Sequence, residues 1–438
     1  MTDGAMHTRA AGDGAGRLRP LLDAVHDTAC QVRTRRPDYF EHRPLRLPAE
    51  LLAHHGTTPT ALAQLIGDSY ELTIEPVTDP ADCTSVDRLA AARAQHTGTT
   101  PGDRGAQRAP QPGELAAVAR EQSELRRAAE RDAARIGAAA PLRVGVLGGV
   151  LPYTAAGVRE EGEPPVVLVN ALGMGTALWH PLMAALAPTR RVLTWAPRGT
   201  AAGTRPMRLR DQADDLAAVL AAEGARDCHL VCWCSGPKTA MEFRRRRPES
   251  VRSMVFLHGS FRHTGDPAGL EPDTPYERNL EELCRAVVAR PALAARLRTM
   301  FTGQPAEISG DLTAHRFADE VLALPAPALG AELLRPFSDD AVLVAYARQL
   351  LDYWAYDGLA HAADVQVPVL CVSGEFDRIA SPERLALAAD RFPDARHERL
   401  AGATHHSMYD RPREVARLLT DFFTEAVRPR SIVSGAAR

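Results

Sequence analysis

The chain has 438 residues, more than one typical small domain, which favours a large catalytic domain with one accessory region. Its 52 lysines and arginines are outnumbered by 55 aspartates and glutamates, and the formal charge of -3 argues against nucleic-acid binding through phosphate neutralisation. The sequence has no apolar run of membrane-spanning length and no signal-peptide core in residues 1–16, so we expect a cytoplasmic protein without membrane contact.

The first third of the chain predicts an accessory region. We expect residues 1–20 to form a disordered tail and residues 21–140 to form a mixed region that carries no recognisable chemistry. Within that region, residues 70–74 alternate in hydropathy like a strand, and residues 97–113 are rich in Thr, Pro, Gly and Gln like a linker. Apolar residues at helical spacing predict a long helix over residues 114–138.

From Leu142 onwards the pattern changes to strands that alternate with helices, which indicates a mostly parallel sheet with helices on both faces. The fold class is therefore α/β, with a core made of residues 141–260 and 364–427. Between these two parts, residues 261–363 are dominated by helical patterns and have the position and size of a lid. The predicted strands cover residues 143–147, 150–154, 165–170, 191–195, 228–232, 251–257, 367–373 and 397–400.

The stretch LVCWCSG at residues 230–236 is the feature around which the chain is organised. An apolar strand ends there in the order small, any, nucleophile, any, small, which is the pattern of a nucleophile elbow with Cys234 as the nucleophile. The flanking positions Cys232 and Gly236 are small, as a sharp strand-to-helix turn requires. The alternative is a buried strand with small apolar cysteines, which are common in proteins without disulfides.

Cys234 is the first of three reactive groups that each follow a predicted strand, the others being Asp377 and His405. Their order and placement resemble the α/β-hydrolase superfamily over about residues 142 to 425, with Asp377 in its G-x-x-D turn and His405 in its G-x-x-H segment. The resemblance implies an α/β-hydrolase fold in which His405 generates the thiolate and Asp377 orients the imidazole. His406 is the neighbouring candidate base, and Asp266 is a weaker candidate acid.

The same resemblance implies an oxyanion hole formed by the backbone N–H groups of Ser235 and Leu172. At Asn170-Ala171 the sequence departs from the family's usual His-Gly, which puts the donor on Leu172 in doubt. Ala196 replaces the family's Asp before a Pro-Arg-Gly turn, and we expect this change to leave the chemistry unaffected.

A cysteine at the elbow favours group transfer, because thiolate attack on a thioester gives another thioester that keeps its activation. Among cysteine-elbow hydrolase relatives, the chain is most similar to the aminoacyl shuttles of nonribosomal peptide assembly, the type that includes the chlorothreonyl transferase of syringomycin assembly. That resemblance implies a thioesterase-like acyltransferase acting between acyl or peptidyl carrier proteins, in antibiotic biosynthesis. The substrate would be carried on the phosphopantetheine of a partner, with no bound cofactor or metal. The alternatives are a cysteine thioesterase or cyclase that releases its product, and a scaffold whose triad is idle.

For three further features of the sequence, a structural role is favoured over a functional one. Cys232 and Cys234 lack a second Cys or His pair at ligand spacing, which disfavours a metal or redox site. The run Arg244 to Arg247 complements a helix C-terminus, the alternative being a docking site for an acidic carrier or a phosphate. The aromatic side chains Tyr353, Trp354 and Tyr356 are expected in the core of the lid rather than in a substrate wall.

Overall fold

The computed structural model describes residues 13–53, 55–96, 108–160, 162–205, 207–265, 274–302 and 322–427. The chain forms two compact units, one of residues 1–131 with 305–327 and one of residues 132–304 with 328–438. Most of the predicted linker of residues 97–113 and the candidate acid Asp266 lie outside the described residues. None of the described helices is both long and apolar enough to cross a bilayer.

The first unit is built from helices around a two-stranded parallel sheet. Its elements are α1 (Asp13–Arg35), β1 (Leu45–Pro48), α2 (Ala49–Leu52), α3 (Pro59–Tyr70), β2 (Ile74–Val77), α4 (Ser85–His96) and the greater part of α5 (Pro112–Ala138). Buried residues of the helices and of β1, among them Leu22, Val25, Leu45 and Leu62, form its interior. The long helix predicted over residues 114–138 is confirmed, starting two residues earlier.

Two expectations for this unit were wrong. Helix α1 begins at Asp13, within the predicted disordered tail, because Leu18, Leu21 and Leu22 bury their side chains despite the polar composition around them. Of the strand expected over residues 70–74, only Ile74 lies in a strand, as the first residue of β2; Tyr70 ends α3, Glu71 caps the helix at φ 55°, and the N–H of Leu72 donates to the Gly67 carbonyl. Because the helix and its left-handed cap occupy the start of the predicted range, the strand begins four residues later than expected.

The second unit contains an eight-stranded sheet and the remaining helices. The strands are β3 (Leu142–Val146), β4 (Gly149–Ala156), β5 (Val166–Val169), β6 (Val192–Thr194), β7 (Cys228–Trp233), β8 (Val251–Leu257), β9 (Val369–Gly374) and β10 (Ala395–Leu400). The helices are α6 (His180–Leu186), α7 (Leu209–Ala222), α8 (Gly236–Arg246), α9 (Pro275–Ala289), α10 (Ala294–Thr302), α11 (Gly330–Leu333), α12 (Asp340–Ala355), α13 (Pro382–Ala389), α14 (Ser407–Asp410) and α15 (Pro412–Val427).

The sheet has the strand order β10-β9-β8-β7-β5-β6-β4-β3. The predicted hairpin of β3 and β4 is confirmed as antiparallel, β4 runs antiparallel to β6, and every other neighbouring pair is parallel. All residues of β5, β7 and β9 are buried, as expected for parallel strands that are covered on both faces. The predicted α/β class with a mostly parallel sheet is confirmed.

We refer to residues 261–363, between β8 and β9, as the inserted segment. Its helices α9 and α12 pack through an apolar cluster that includes Leu280, Leu283, Leu343 and Leu350. Tyr353 and Trp354 belong to the same cluster and are buried, which agrees with the interior role expected for them. Residues 305–327 of the segment group with the first unit, where Arg35 donates to the carbonyl of Leu324.

The buried Lys238 contacts the inserted segment near both of its ends. Lys238 in α8 donates from Nζ to the Arg262 carbonyl at 2.6 Å and to the Tyr356 carbonyl at 2.7 Å. Burial lowers the pKa of Lys238 to about 7. The two backbone carbonyls compensate for the loss of water around this amine.

Candidate active site

Five segments that carry the candidate site residues begin at the carboxyl ends of parallel strands, where binding sites of open α/β sheets form. Leu172 follows β5, Cys234 follows β7, His258 follows β8, Asp377 follows β9 and His405 follows β10. The register aligns these strand ends along one edge of the sheet. All five residues lie in the second unit.

Cys234 occupies a strained turn between β7 and α8. Its φ of 53° lies in the left-handed region, which costs a non-glycine residue roughly 1–2 kcal/mol. A Cβ at Gly236 would lie 2.6 Å from the carbonyl oxygen of Val169, so only glycine fits there. Cys232 is fully buried, whereas the side chain of Cys234 is half-buried. The turn therefore presents this one thiol at the sheet edge, as a nucleophile elbow does.

Asp377 and His405 are paired in the geometry of a triad acid and base. The Nδ1–H of His405 donates to Oδ2 of Asp377 at 2.8 Å, and Oδ1 accepts the backbone N–H groups of Ile379 and Ala380, each at 2.9 Å. Both carboxylate oxygens are thus held in position, and the Nδ1–H tautomer of the base is fixed. Nε2 of His405 has no oxygen or nitrogen partner among the described residues, which leaves it for the thiol.

The charges of the site stabilise one another. Burial alone would lower the pKa of His405, but Asp377 and Cys234 raise it to about 10. Burial would raise the pKa of Asp377, yet His405 and His258 hold it well below the usual range of a carboxyl group. An imidazolium stabilised by a carboxylate on one side and a thiolate on the other is the arrangement that activates a cysteine nucleophile.

The neighbouring candidate base, His406, lies outside this arrangement. Its backbone N–H donates to Oγ1 of Thr404 at 3.0 Å, and its ring stands 5.7 Å from that of Trp233. The only imidazoles within hydrogen-bond distance of Asp377 among the described residues are those of His405 and His258. The geometry therefore favours His405 over His406.

The loop of Leu172 contacts the start of α8. The N–H of Leu172 donates to Oγ of Ser235 at 3.0 Å, so this expected oxyanion donor is engaged by the Ser235 hydroxyl, and Ser235 stands at the N-terminus of α8, where the helix dipole favours negative charge. Asn170, the departure from the family's His-Gly, shapes this loop: its Nδ2 donates to the carbonyls of Met174 and Gly175, and its Oδ1 accepts the N–H of Ala171. Asn170 thus orders the loop that carries the Leu172 donor.

His258 is a member of the cluster that the sequence reasoning missed. Its Nδ1 lies 3.1 Å from Oδ2 of Asp377, the same oxygen that His405 contacts. The signal that could have revealed it is its position directly after the apolar run of residues 251–257, the rule that identified Cys234 and Asp377.

Among the described residues, one cluster has the spacing of metal ligands, and it consists of His258, Asp377 and His405, within 4.8 Å of one another. Nδ1 of His405 donates to Oδ2 of Asp377 at 2.8 Å, and Nδ1 of His258 lies 3.1 Å from the same oxygen in a contact that is not aligned as a hydrogen bond. The cluster is therefore a hydrogen-bonded histidine–carboxylate pair with a second imidazole beside it. Cys232 and Cys234 do not belong to it, and burial raises the pKa of the Cys232 thiol well above its ordinary value, which disfavours a redox or metal pair.

The arginine run lies at the end of α8 that is remote from the elbow. Eight helical residues, 236–243, separate it from Cys234, about 12 Å at 1.5 Å per residue. Arg245 pairs with Glu242 at 2.9 Å, and Arg246 pairs with Asp214 at 2.9 Å. These arginines are engaged within the chain at the helix C-terminus, in keeping with the structural reading.

The chain is similar in sequence to known hydrolases. The sequence profile of the alpha/beta hydrolase fold family matches residues 164–412. A protein named carbamate hydrolase RutD from Azorhizobium caulinodans is 24% identical over 237 residues, which cover 53% of this chain and 80% of that protein. The pimeloyl-[acyl-carrier protein] methyl ester esterase of Aeromonas hydrophila is 25% identical over 285 residues, covering 60% of this chain and 98% of the esterase. The esterase RhEst1 from Rhodococcus sp. ECU1013 superposes with a TM-score of 0.49 at 18% identity, covering 65% of this chain and 98% of its own.

Proposed function

Because the chain belongs to the alpha/beta hydrolase fold family, we propose that it is an enzyme of that type in which Cys234 is the nucleophile of an acyl transfer. The acyl group, an aminoacyl group by the resemblance to the nonribosomal shuttles, would move between the phosphopantetheine thiols of two carrier proteins. The observation that carries the proposal is a half-buried thiol on a strained elbow, beside the buried pair of His405 and Asp377.

The first half-reaction forms an acyl-enzyme. The Cys234 thiolate attacks the thioester carbonyl of the donor carrier. The N–H groups of Ser235 and of Leu172, the latter released from the Ser235 hydroxyl, stabilise the oxyanion. The bond between the acyl carbon and the donor sulfur then breaks, and the imidazolium of His405 gives its proton to the departing thiolate. In the second half-reaction His405 takes a proton from the acceptor thiol, which attacks the acyl-enzyme and releases Cys234. One thioester replaces another, so the acyl group keeps its activation for transfer.

Two contacts from the inserted segment support a covered site. A Cβ at Gly173 would come within 3.0 Å of the Tyr346 ring, so that ring lies directly against the loop of Leu172. Glu332 accepts the N–H of Gly175 at the other end of the same loop. A covered site matters for a transferase because its acyl-enzyme must outlast the competing attack of water.

The relatives suggest both the leading proposal and its alternative. The pimeloyl-[acyl-carrier protein] methyl ester esterase acts, by its name, on a substrate held on a carrier protein, which favours a carrier-borne substrate here. That relative and the carbamate hydrolases are named as hydrolases, which favours a second candidate: a cysteine thioesterase that releases or cyclises its product. A scaffold with an idle triad is the remaining alternative.

The test follows a labelled aminoacyl group from one carrier protein to a second. We expect intact-mass measurement to show an acyl adduct on the wild-type enzyme and none on Cys234→Ala, with label appearing on the second carrier. Cys234→Ser should lose transfer, because an acyl-serine oxoester returns to a thiol only uphill while water remains an acceptor.

The outcomes separate the three functions. An adduct that persists in Cys234→Ala would show that the nucleophile is misassigned. Free acid as the sole product, with every plausible acceptor present, would replace the shuttle by the thioesterase. Absence of preferential, pH-dependent iodoacetamide labelling of Cys234 would favour the scaffold.

A further inference from the structure

We propose that His258 is a positioning residue for this reaction, holding Oδ2 of Asp377 where His405 meets it. The inference rests on the proposed roles of Cys234, His405 and Asp377, and it is independent of which acyl group or carriers the enzyme uses. Two separate observations carry it: the side-chain contacts of His258 and the conformation of its backbone.

The side chain of His258 bridges two parts of the site. Its Nδ1 lies 3.1 Å from Oδ2 of Asp377 in a contact that is not aligned as a hydrogen bond, and no other polar atom pairs with it among the described residues. Its Nε2 lies 2.7 Å from Oγ of Ser407, the first residue of α14, which follows the His405 loop. A carboxylate only accepts hydrogen bonds, so Nδ1 carries the proton and Nε2 accepts the Ser407 hydroxyl. Burial favours this neutral form by lowering the pKa of His258.

The backbone of His258 adopts a strained, left-handed conformation. Its φ is 52°, and Cys234 is the only other non-glycine residue with a positive φ in the described part of the second unit. The His258 N–H donates to the carbonyl of Val372 at 2.7 Å, which ties the turn to β9. A left-handed histidine is tolerated only where its surroundings impose it, and such strain collects at active sites. The chain keeps histidine where glycine would relieve the strain.

The contact with His258 restricts the remaining movement of the Asp377 carboxylate. Two backbone N–H groups hold Oδ1 of Asp377, and two imidazoles converge on Oδ2. Without His258 only His405 contacts Oδ2, and the carboxylate can turn about its Oδ1 anchor away from the position that His405 requires. The groups that face the two histidines in this cluster are Asp377, Asp410 and Cys234. Weaker coupling to Asp377 lowers the pKa of His405, so the imidazolium loses its proton at a lower pH.

The test measures the pH profile of single-turnover acylation of Cys234 by an acyl-loaded carrier from about pH 6 to about pH 10, quantified by intact-mass spectrometry. The imidazolium of His405 protonates the departing thiolate, so we expect His258→Leu to move the basic limb down by about one pH unit. His258→Asn should restore the wild-type limb, because asparagine keeps a donor near the Nδ1 position and tolerates a left-handed φ.

His229 provides a matched control, since it is a fully buried histidine of β7 with one side-chain partner, Ser253, at 2.8 Å. His229→Leu should leave the limb in place, whereas a merely structural effect would move both limbs alike. The inference is overturned if His258→Leu superposes on the wild type, if its basic limb moves to higher pH, or if asparagine fails to rescue it. A wild-type protein whose Cys234 is not acylated would instead overturn the proposed function.

Discussion

The indole of Trp233 donates from Nε1 to the backbone carbonyl of His405 at 2.9 Å, and the two rings lie 5.2 Å apart. Trp233 is the residue directly before the nucleophile, so the strand that carries Cys234 also fixes the loop that carries the proposed base. The relative position of thiol and imidazole is thereby set by one hydrogen bond and one aromatic contact.

Trp233→Phe tests this link by keeping an aromatic ring and deleting the N–H donor. It leaves a buried carbonyl unpaired, a change that costs about 1–3 kcal/mol. We expect the acylation rate of Cys234 to fall about tenfold, since each 1.36 kcal/mol of barrier changes a rate tenfold. The rate is measured in single-turnover experiments with an acyl-loaded carrier. Trp179→Phe is the control, because Trp179 is equally buried and its N–H has no partner among the described residues. Equal losses in both variants would contradict the link.

Asn170→Ala tests the ordering of the oxyanion loop. The variant loses the hydrogen bonds to Met174, Gly175 and Ala171, so the N–H of Leu172 is no longer held in place. Removing one oxyanion donor typically costs 10²–10³ in rate, and we expect a loss of about 10² in acylation. Alkylation of Cys234 by iodoacetamide forms no oxyanion and should be unchanged. A parallel loss of alkylation would show instead that the variant disturbs the elbow.

Cys30 is predicted to be the second thiol that alkylating agents modify. Its Sγ lies 3.8 Å from Nε2 of His26, whose Nδ1 contacts Asp27 at 3.2 Å. Burial would raise the pKa of Cys30, but His26 and Arg126 bring it below the ordinary value. The other cysteines, apart from Cys234, are buried with pKa values raised by that burial: Cys83, Cys228, Cys232, Cys284 and Cys371.

At pH 7 we therefore expect iodoacetamide to modify the Cys30 and Cys234 peptides and to spare the other five. His26→Gln should slow labelling of Cys30 severalfold without affecting Cys234. Peptide mass spectrometry of the folded protein measures both rates. Labelling of the buried thiols at comparable rates would contradict the described burial.

His229 makes the stability of the second unit sensitive to acid. Burial lowers its pKa to about 3, below the 6.5 of an exposed histidine, so the unfolded chain takes up the proton first. The stabilising contribution is present above pH 6.5 and is lost as the pH falls, by about 2 kcal/mol at pH 5. His229→Leu should remove this part of the pH dependence. Denaturant unfolding at pH 7 and pH 5 can be followed by fluorescence, because all four tryptophans lie in the second unit. An equal acid sensitivity in the variant would count against the assignment.

The sequence predicted the parts of the site that short-range rules govern. Gly236 had to be small because its Cα faces the Val169 carbonyl, and the strand pattern placed Asp377 and His405 at one sheet edge. His258 obeys the same strand-end rule but matches no motif, because its role depends on a contact with a residue 119 positions later in the chain.

Long-range packing also explains what was missed elsewhere in the chain. The β1–β2 pair joins two strands of four residues each, too short for periodicity to identify. The cap at Glu71 depends on a backbone turn rather than on the alternation of side chains. The grouping of residues 305–327 with the first unit follows from tertiary contacts such as that between Arg35 and Leu324.

The two hydrogen bonds of Lys238 set the distance between the two ends of the inserted segment. Since one amine binds the carbonyls of Arg262 and Tyr356, these two points cannot be farther apart than the two bond lengths together. Changes of length within residues 263–304 or 328–355, the parts of the segment that belong to the second unit, leave these two points in place, provided that a carbonyl returns to each position. A truncation that removes both carbonyls leaves the buried amine unsatisfied and calls for Lys238→Met in the same gene.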